Sequence, residues 1–164
     1  MTNAAYPLER VLEIKKKRVE QAEKVVQEKK QKLKKEQEKL KRCEEERNKV
    51  KQHLQDKFNQ LRDELDRGTT SPKILQMKRY IEVVKERVKV EEKKVEDQKE
   101  QVKIAENNLE VAQEELRLKR QEVDKMKTHR KDWVKQMLRE QQLEEEKEMD
   151  EIGQILYSLQ QRKG

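Results

Sequence analysis

The sequence predicts an all-α protein: a long antiparallel two-helix coiled-coil hairpin with a C-terminal helical overhang. Three observations lead there. Of 164 residues, 47% are charged and 31% hydrophobic, too few apolar side chains to fill a three-dimensional core. Those apolar residues recur every seven positions along most of the chain, the period of helices wound on a partner. Breakers are scarce, three glycines and two prolines, and the stretch Arg67-Gly68-Thr69-Thr70-Ser71-Pro72 puts a stop and a start within a few residues. Low hydropathy with high charge also describes disordered chains, but those lack a sustained helical period.

Residues 1–6 are small or polar and are expected to fray. Pro7 suits the first position of a helix, and Glu9 in the first turn complements the helix dipole. Helix one is therefore placed at 7–67. Counting by sevens from Leu12 gives Val19, Val26, Leu33, Leu40, Arg47, Leu54 and Leu61, a nearly unbroken apolar seam. The companion seam from Leu8 is poorer: Lys15, Ala22, Lys29, Glu36, Cys43, Val50 and Lys57. Long side chains there are expected to lay their stems along the seam and carry the charge outward. Leu54, Phe58, Leu61 and Leu65 thicken the apolar content toward the turn, where the tightest packing is expected.

The turn itself occupies 68–71. Gly68 can take the positive φ that closes a helix, Ser71 can cap the next, and Pro72 can open it. Helix two, paired with helix one over 72–138, repeats the count from Ile74: Ile81, Val88, Val95, Val102, Leu109, Leu116, Val123, Arg130 and Met137. Its companion seam is Met77, Val84, Glu91, Gln98, Ala105, Ala112, Lys119, Met126 and Trp133. If the chain reverses between Thr69 and Thr70, residue i faces about 139 − i, which sets Tyr6 opposite Trp133. The helices would span ~90 and ~135 Å at 1.5 Å per residue, so the expected object is a rod. Residues 139–164 then have no partner in their own chain. They begin with an acidic block, Glu144 to Glu151, and continue with an apolar stripe, Ile152, Ile155, Leu156 and Leu159, interrupted by Gly153.

Chemistry is hard to find. A two-helix fold offers no water-excluding cleft, and no nucleotide or zinc spacing occurs, so the expectation is a protein that is not an enzyme and has no cofactor or metal. His53 falls near Glu86 and His129 near Arg10, too far apart on a hairpin to share a metal, and both are expected to be solvated. Cys43 lies on a seam and reads as a small hydrophobe. Arg47 and Arg130 interrupt the main seams; each is expected to reach out to a glutamate, Arg47 to Glu91 or Glu92. A lone cysteine, no long apolar run and no apolar leader predict a cytoplasmic protein. The candidate partner-binding residues are Leu8, Trp133 and Met137 at the open end, with Ile152, Ile155, Leu156 and Leu159 beyond it. Trp133 could instead plug the hairpin end against Tyr6, Pro7 and Leu8.

The N-terminal run Tyr6-Pro7-Leu8-Glu9-Arg10-Val11-Leu12-Glu13-Ile14-Lys15, extended to Ala22, resembles the FliJ/YscO family of type III secretion proteins, most of all its chlamydial YscO-like branch. The likeness in length and helix layout covers the whole chain. The resemblance implies a cytoplasmic stalk similar to the coiled coil of rotary ATPases, working with a secretion ATPase hexamer, an export-gate protein and secretion chaperones. Two other classes fit the residues. The basic clusters Lys15–Arg18 and Lys29–Lys35, in a chain of net charge +7, suit a nucleic-acid-contacting arm, although glutamates interleave them. The overhang stripe suits a generic spacer that dimerises.

Overall fold

The computed structural model describes residues 5–163. Two helices account for nearly all of them, α1 (Glu9–Arg67) and α2 (Ser71–Arg162), joined by a short turn and packed against each other as an antiparallel hairpin. The all-α hairpin expected from the heptads is the observed fold. By packing, the chain divides into two units. One is Glu23–Glu114, containing the turn; the other joins the start of α1, through Ala22, to α2 from Glu115 onward.

Both helices are built from strong helix formers, and their outer faces carry ion pairs one turn apart. Lys85 meets Glu82 at 3.1 Å, Lys89 meets Glu86 at 3.3 Å and Lys94 meets Glu91 at 3.2 Å. Lys85 and Glu91 are half-buried and the other four side chains exposed, and each pair contributes a few tenths of a kcal/mol, roughly. They favour the helix without deciding the fold.

The turn is tight. Gly68 adopts φ 75°, a conformation costly for any residue with a Cβ, and its N–H reaches the Leu65 carbonyl at 3.2 Å. The next helix starts slightly earlier than expected. The Thr70 carbonyl already accepts from Ile74 N–H at 3.2 Å, so Thr70 holds the cap position, Ser71 is the first helical residue and Pro72 the second. Pro72 still costs no hydrogen bond there, because the first four N–H groups of a helix lack intrahelical acceptors.

The other end also departs from expectation. The helix begins at Glu9, not Pro7: Leu12 N–H donates to the Leu8 carbonyl at 2.9 Å, and Glu9 N–H donates to Tyr6 at 3.1 Å. Pro7 thus occupies the second position of a tight turn, where its fixed φ is favoured. Tyr6 is not frayed; it is buried. The expectation of fraying for residues 1–4 lies outside the described residues.

Burial follows the two counted seams. On α2, Ile81, Val84, Val88, Val95, Val102, Ala105, Ala112, Leu116 and Val123 are buried, Val84 and Val95 completely. On α1 only Leu12 and Val26 reach that level. The asymmetry follows from side-chain length. The buried α2 positions are mostly short valines and alanines, whereas the α1 seams carry longer side chains, Lys15, Lys29 and Lys57 among them, that stay half-buried. Lys15 shows the mode: it sits on a seam with its side chain 25% exposed and its ammonium 3.4 Å from Glu122.

The packing is not tightest at the turn. Phe58 and Leu65 are exposed, Leu54 and Leu61 only half-buried, and the first buried residue on α2 is Ile81. Phe58 and Leu65 belong to the column one residue beyond Lys57, off the seam, where Lys85 Nζ covers the Phe58 ring at 5.5 Å. Arg47 also departs from expectation. Its guanidinium hydrogen-bonds the neighbouring Asn48 side chain, while Lys51 takes Glu92 at 3.2 Å and Lys94 takes Glu91.

One buried polar side chain interrupts the α2 seam. Gln98 donates from Nε2 to the Glu36 carboxylate at 2.6 Å and to the Glu36 carbonyl at 3.0 Å. A polar pair in an apolar seam is satisfied in one register only, so it opposes slippage by a turn. The Gln98 amide, and after it Lys32, hold the Glu36 carboxyl below its ordinary value.

Two measurements test this packing. Val95→Ala should cost about 2 kcal/mol in denaturant unfolding, through lost burial and a residual cavity, whereas Val90→Ala, on the exposed face, should cost under about 0.5 kcal/mol. Because Glu36 is lowered in the folded state, its contribution is complete above the unfolded carboxylate value of about 4.3 and is lost as pH falls through the folded value. Glu36→Gln should therefore flatten the acid limb of a stability–pH curve below about pH 4.

Candidate partner-binding surfaces

Among the described residues no group of three or more His, Cys, Asp or Glu side chains converges on a common point. No helix among them is long and apolar enough to cross a membrane. The surfaces with distinctive chemistry are instead two regions of the unit that holds the start of α1 and the end of α2.

The first is an aromatic cluster where α1 begins. The turn before Glu9 folds Tyr6 back onto α2, and its ring lies 5.6 Å from Trp133, centroid to centroid, at a 59° tilt. The Tyr6 hydroxyl hydrogen-bonds His129 Nδ1, and the two rings are 5.6 Å apart. At the next residue of α2, Arg130 Nε lies 3.2 Å from Glu9 Oε2, an ion pair without hydrogen-bond alignment. Arg130 thus reaches out of the seam to a glutamate, as its position suggested. Tilted aromatic pairs of this kind stabilise by about 1 kcal/mol beyond their burial.

Trp133 packs at the start of α1, as the plug reading expected for Tyr6. It packs on Tyr6, yet it remains half-exposed, as does Met137, and Leu8 beside it is exposed. Each of the three therefore keeps apolar surface in water. His129, expected to be solvated, belongs to the cluster as well. Reflection about the turn sets Tyr6 opposite Trp133, and His129 lies one helical turn before Trp133, so the spacing carried the signal.

The second region is α2 beyond Met137. Every described residue from Leu138 on is exposed, including Ile152, Ile155, Leu156 and Leu159, none less than 50%. Counted onward by sevens, the hairpin seams run into Glu144, Glu151 and Ser158, and into Glu140, Lys147 and Gln154, all polar. The apolar residues fall instead at 149, 152, 156 and 159, the alternating three- and four-residue spacing of a new seam on another face.

The unit containing the turn carries a further exposed apolar column that the two-seam count missed: Val83, Val90, Ile104 and Val111, at multiples of seven, with Asp97 in the gap. Beside its first members, His53 donates to or accepts from the Tyr80 hydroxyl at 3.0 Å, with Lys57 Nζ 5.3 Å from the Tyr80 ring centroid. His53 is accordingly half-buried against an aromatic ring rather than freely solvated.

Comparison with known proteins gives the chain a family. A family model described as YscO-like protein matches residues 3–163. Among solved structures, the YscO homolog CT670 from Chlamydia trachomatis is 52% identical, over 97% of this chain and 98% of that one, with a TM-score of 0.91. A chain in the structure of the Chlamydia pneumoniae CdsV and CdsO protein complex is 53% identical, over 51% of this chain and 96% of that one, with a TM-score of 0.48. No curated protein matches the chain at a significant level.

The aromatic cluster has a direct optical readout, because Trp133 is the single tryptophan. Tyr6→Ala should shift its emission to the red as water reaches the indole. Tyr6→Phe should leave the emission in place and cost about 1 kcal/mol, the worth of the lost hydrogen bond.

Proposed function

The chain belongs to the YscO-like family, and from that membership we propose that it is a non-enzymatic cytoplasmic stalk and adaptor of a type III secretion system. In this reading it works with the secretion ATPase hexamer, the export-gate protein and secretion chaperones. The observation that carries it is the pair of heptad seams along which the two helices pack, together with the exposed or half-exposed apolar residues Leu8, Trp133 and Met137, taken here as a rim. A self-paired helical hairpin needs no chemistry of its own to transmit position, and a half-exposed tryptophan beside exposed aliphatic side chains is the composition of an interface anchor.

The rim is the proposed contact with the ATPase ring, and the exposed stripe Ile152, Ile155, Leu156 and Leu159 is a further surface for protein partners. A nucleic-acid arm is less well supported. Four α2 lysines, Lys85, Lys89, Lys94 and Lys99, each pair with a glutamate three residues earlier, so that stretch presents mixed charge rather than a basic track.

Copurification with the secretion ATPase tests the proposal. Trp133→Ala should reduce the yield of ATPase severalfold while the helical content stays unchanged. Wild-type yield with that variant would remove the rim from the contact, and no copurification with the unaltered chain would remove the stalk role.

A further inference from the structure

The end of α2 is complementary to itself. We propose that residues 145–163 form a two-stranded antiparallel coiled coil with the same segment of a second copy of this chain. The inference rests on the placement of charge and size along the exposed helix, and it is independent of the stalk reading.

Take Met149, Ile152, Leu156 and Leu159 as the seam. In an antiparallel pair centred on Gln154, Met149 meets Leu159 of the second copy and Ile152 meets Leu156 of the second copy. Each layer occurs twice by symmetry, giving four apolar layers. Ile155 of both copies meets on one flank and adds to them. On the opposite flank Gly153 meets Gly153, and since open space surrounds the position where its Cβ would stand, the backbones can approach closely there.

Charge then closes both ends. The same alignment sets Glu145 against Lys163 of the second copy and Glu148 against Arg162 of the second copy, and each pair recurs at the other end. None of these four residues has an ion-pair or side-chain hydrogen-bond partner among the described residues, so the pairing takes nothing from the monomer. A parallel arrangement fails on the same charges, because Glu144 to Glu151 would lie along its own copy with six acidic residues and one basic residue. The segment is also free to pair: α1 covers nothing after Met137 on α2, and the paired stretch starts beyond that point.

The interface is small, less than about 1,200 Å² in total, so the association is weak and shows itself with concentration. Sedimentation equilibrium of the full chain across the micromolar to millimolar range should show the apparent mass rising from 20.0 kDa toward twice that value. Leu156→Glu, at an exposed site, should hold the mass at 20.0 kDa throughout. Charge reversal tests the direction of pairing. A Glu145→Lys/Glu148→Lys chain and an Arg162→Glu/Lys163→Glu chain should each stay monomeric alone and pair when mixed, because every end contact is then of opposite sign. A wild-type chain monomeric at all concentrations would overturn the proposal. So would association that survives Leu156→Glu, or reversed chains that associate alone as well as together.

Discussion

A pair of helices has no third layer. Every buried side chain must be covered by one facing helix, so the interior is a seam rather than a core, and its width is that of one or two side chains. This constraint explains the composition and the poor burial of α1 together. Fewer than a third of the residues are hydrophobic because no more can be hidden. The seam runs at the seven-residue period along both helices because any other period would rotate the apolar face away from its cover.

Register is the weak point of such a design. Apolar layers at a constant period are nearly interchangeable, and a slip by seven residues would preserve most of them. The Gln98–Glu36 hydrogen bonds and the aromatic cluster of Tyr6, His129 and Trp133 are not interchangeable, and Gly68 limits the reversal to one place. The pair of helices is held by many similar contacts and aligned by a few singular ones.

Most of this fold could be read from the sequence because counting by sevens requires no knowledge of side-chain conformation. Reflection about the turn placed Trp133 opposite Tyr6 for the same reason. What escaped depends on detail below that resolution. Phe58 and Leu65 have helical spacing but sit one residue off the seam, a rotation large enough to expose them. Arg47 reaches Asn48 rather than Glu91 or Glu92, a choice among long side chains that the heptad does not encode. The start of each helix moved by one or two residues because backbone acceptors, not the best capping side chains, set the boundaries. The column at Val83, Val90, Ile104 and Val111 went unread only because the count stopped at two seams.

The unequal burial of the helices has a consequence for how such a chain can change over generations. At Lys15, Lys29 or Lys57, what the seam uses is a long flexible stem, and arginine or glutamine would serve nearly as well. Val84, Val95 and Ala105 are buried, and few replacements match their volume. Related chains should therefore drift at two speeds, with the first helix changing its letters freely while the second keeps them.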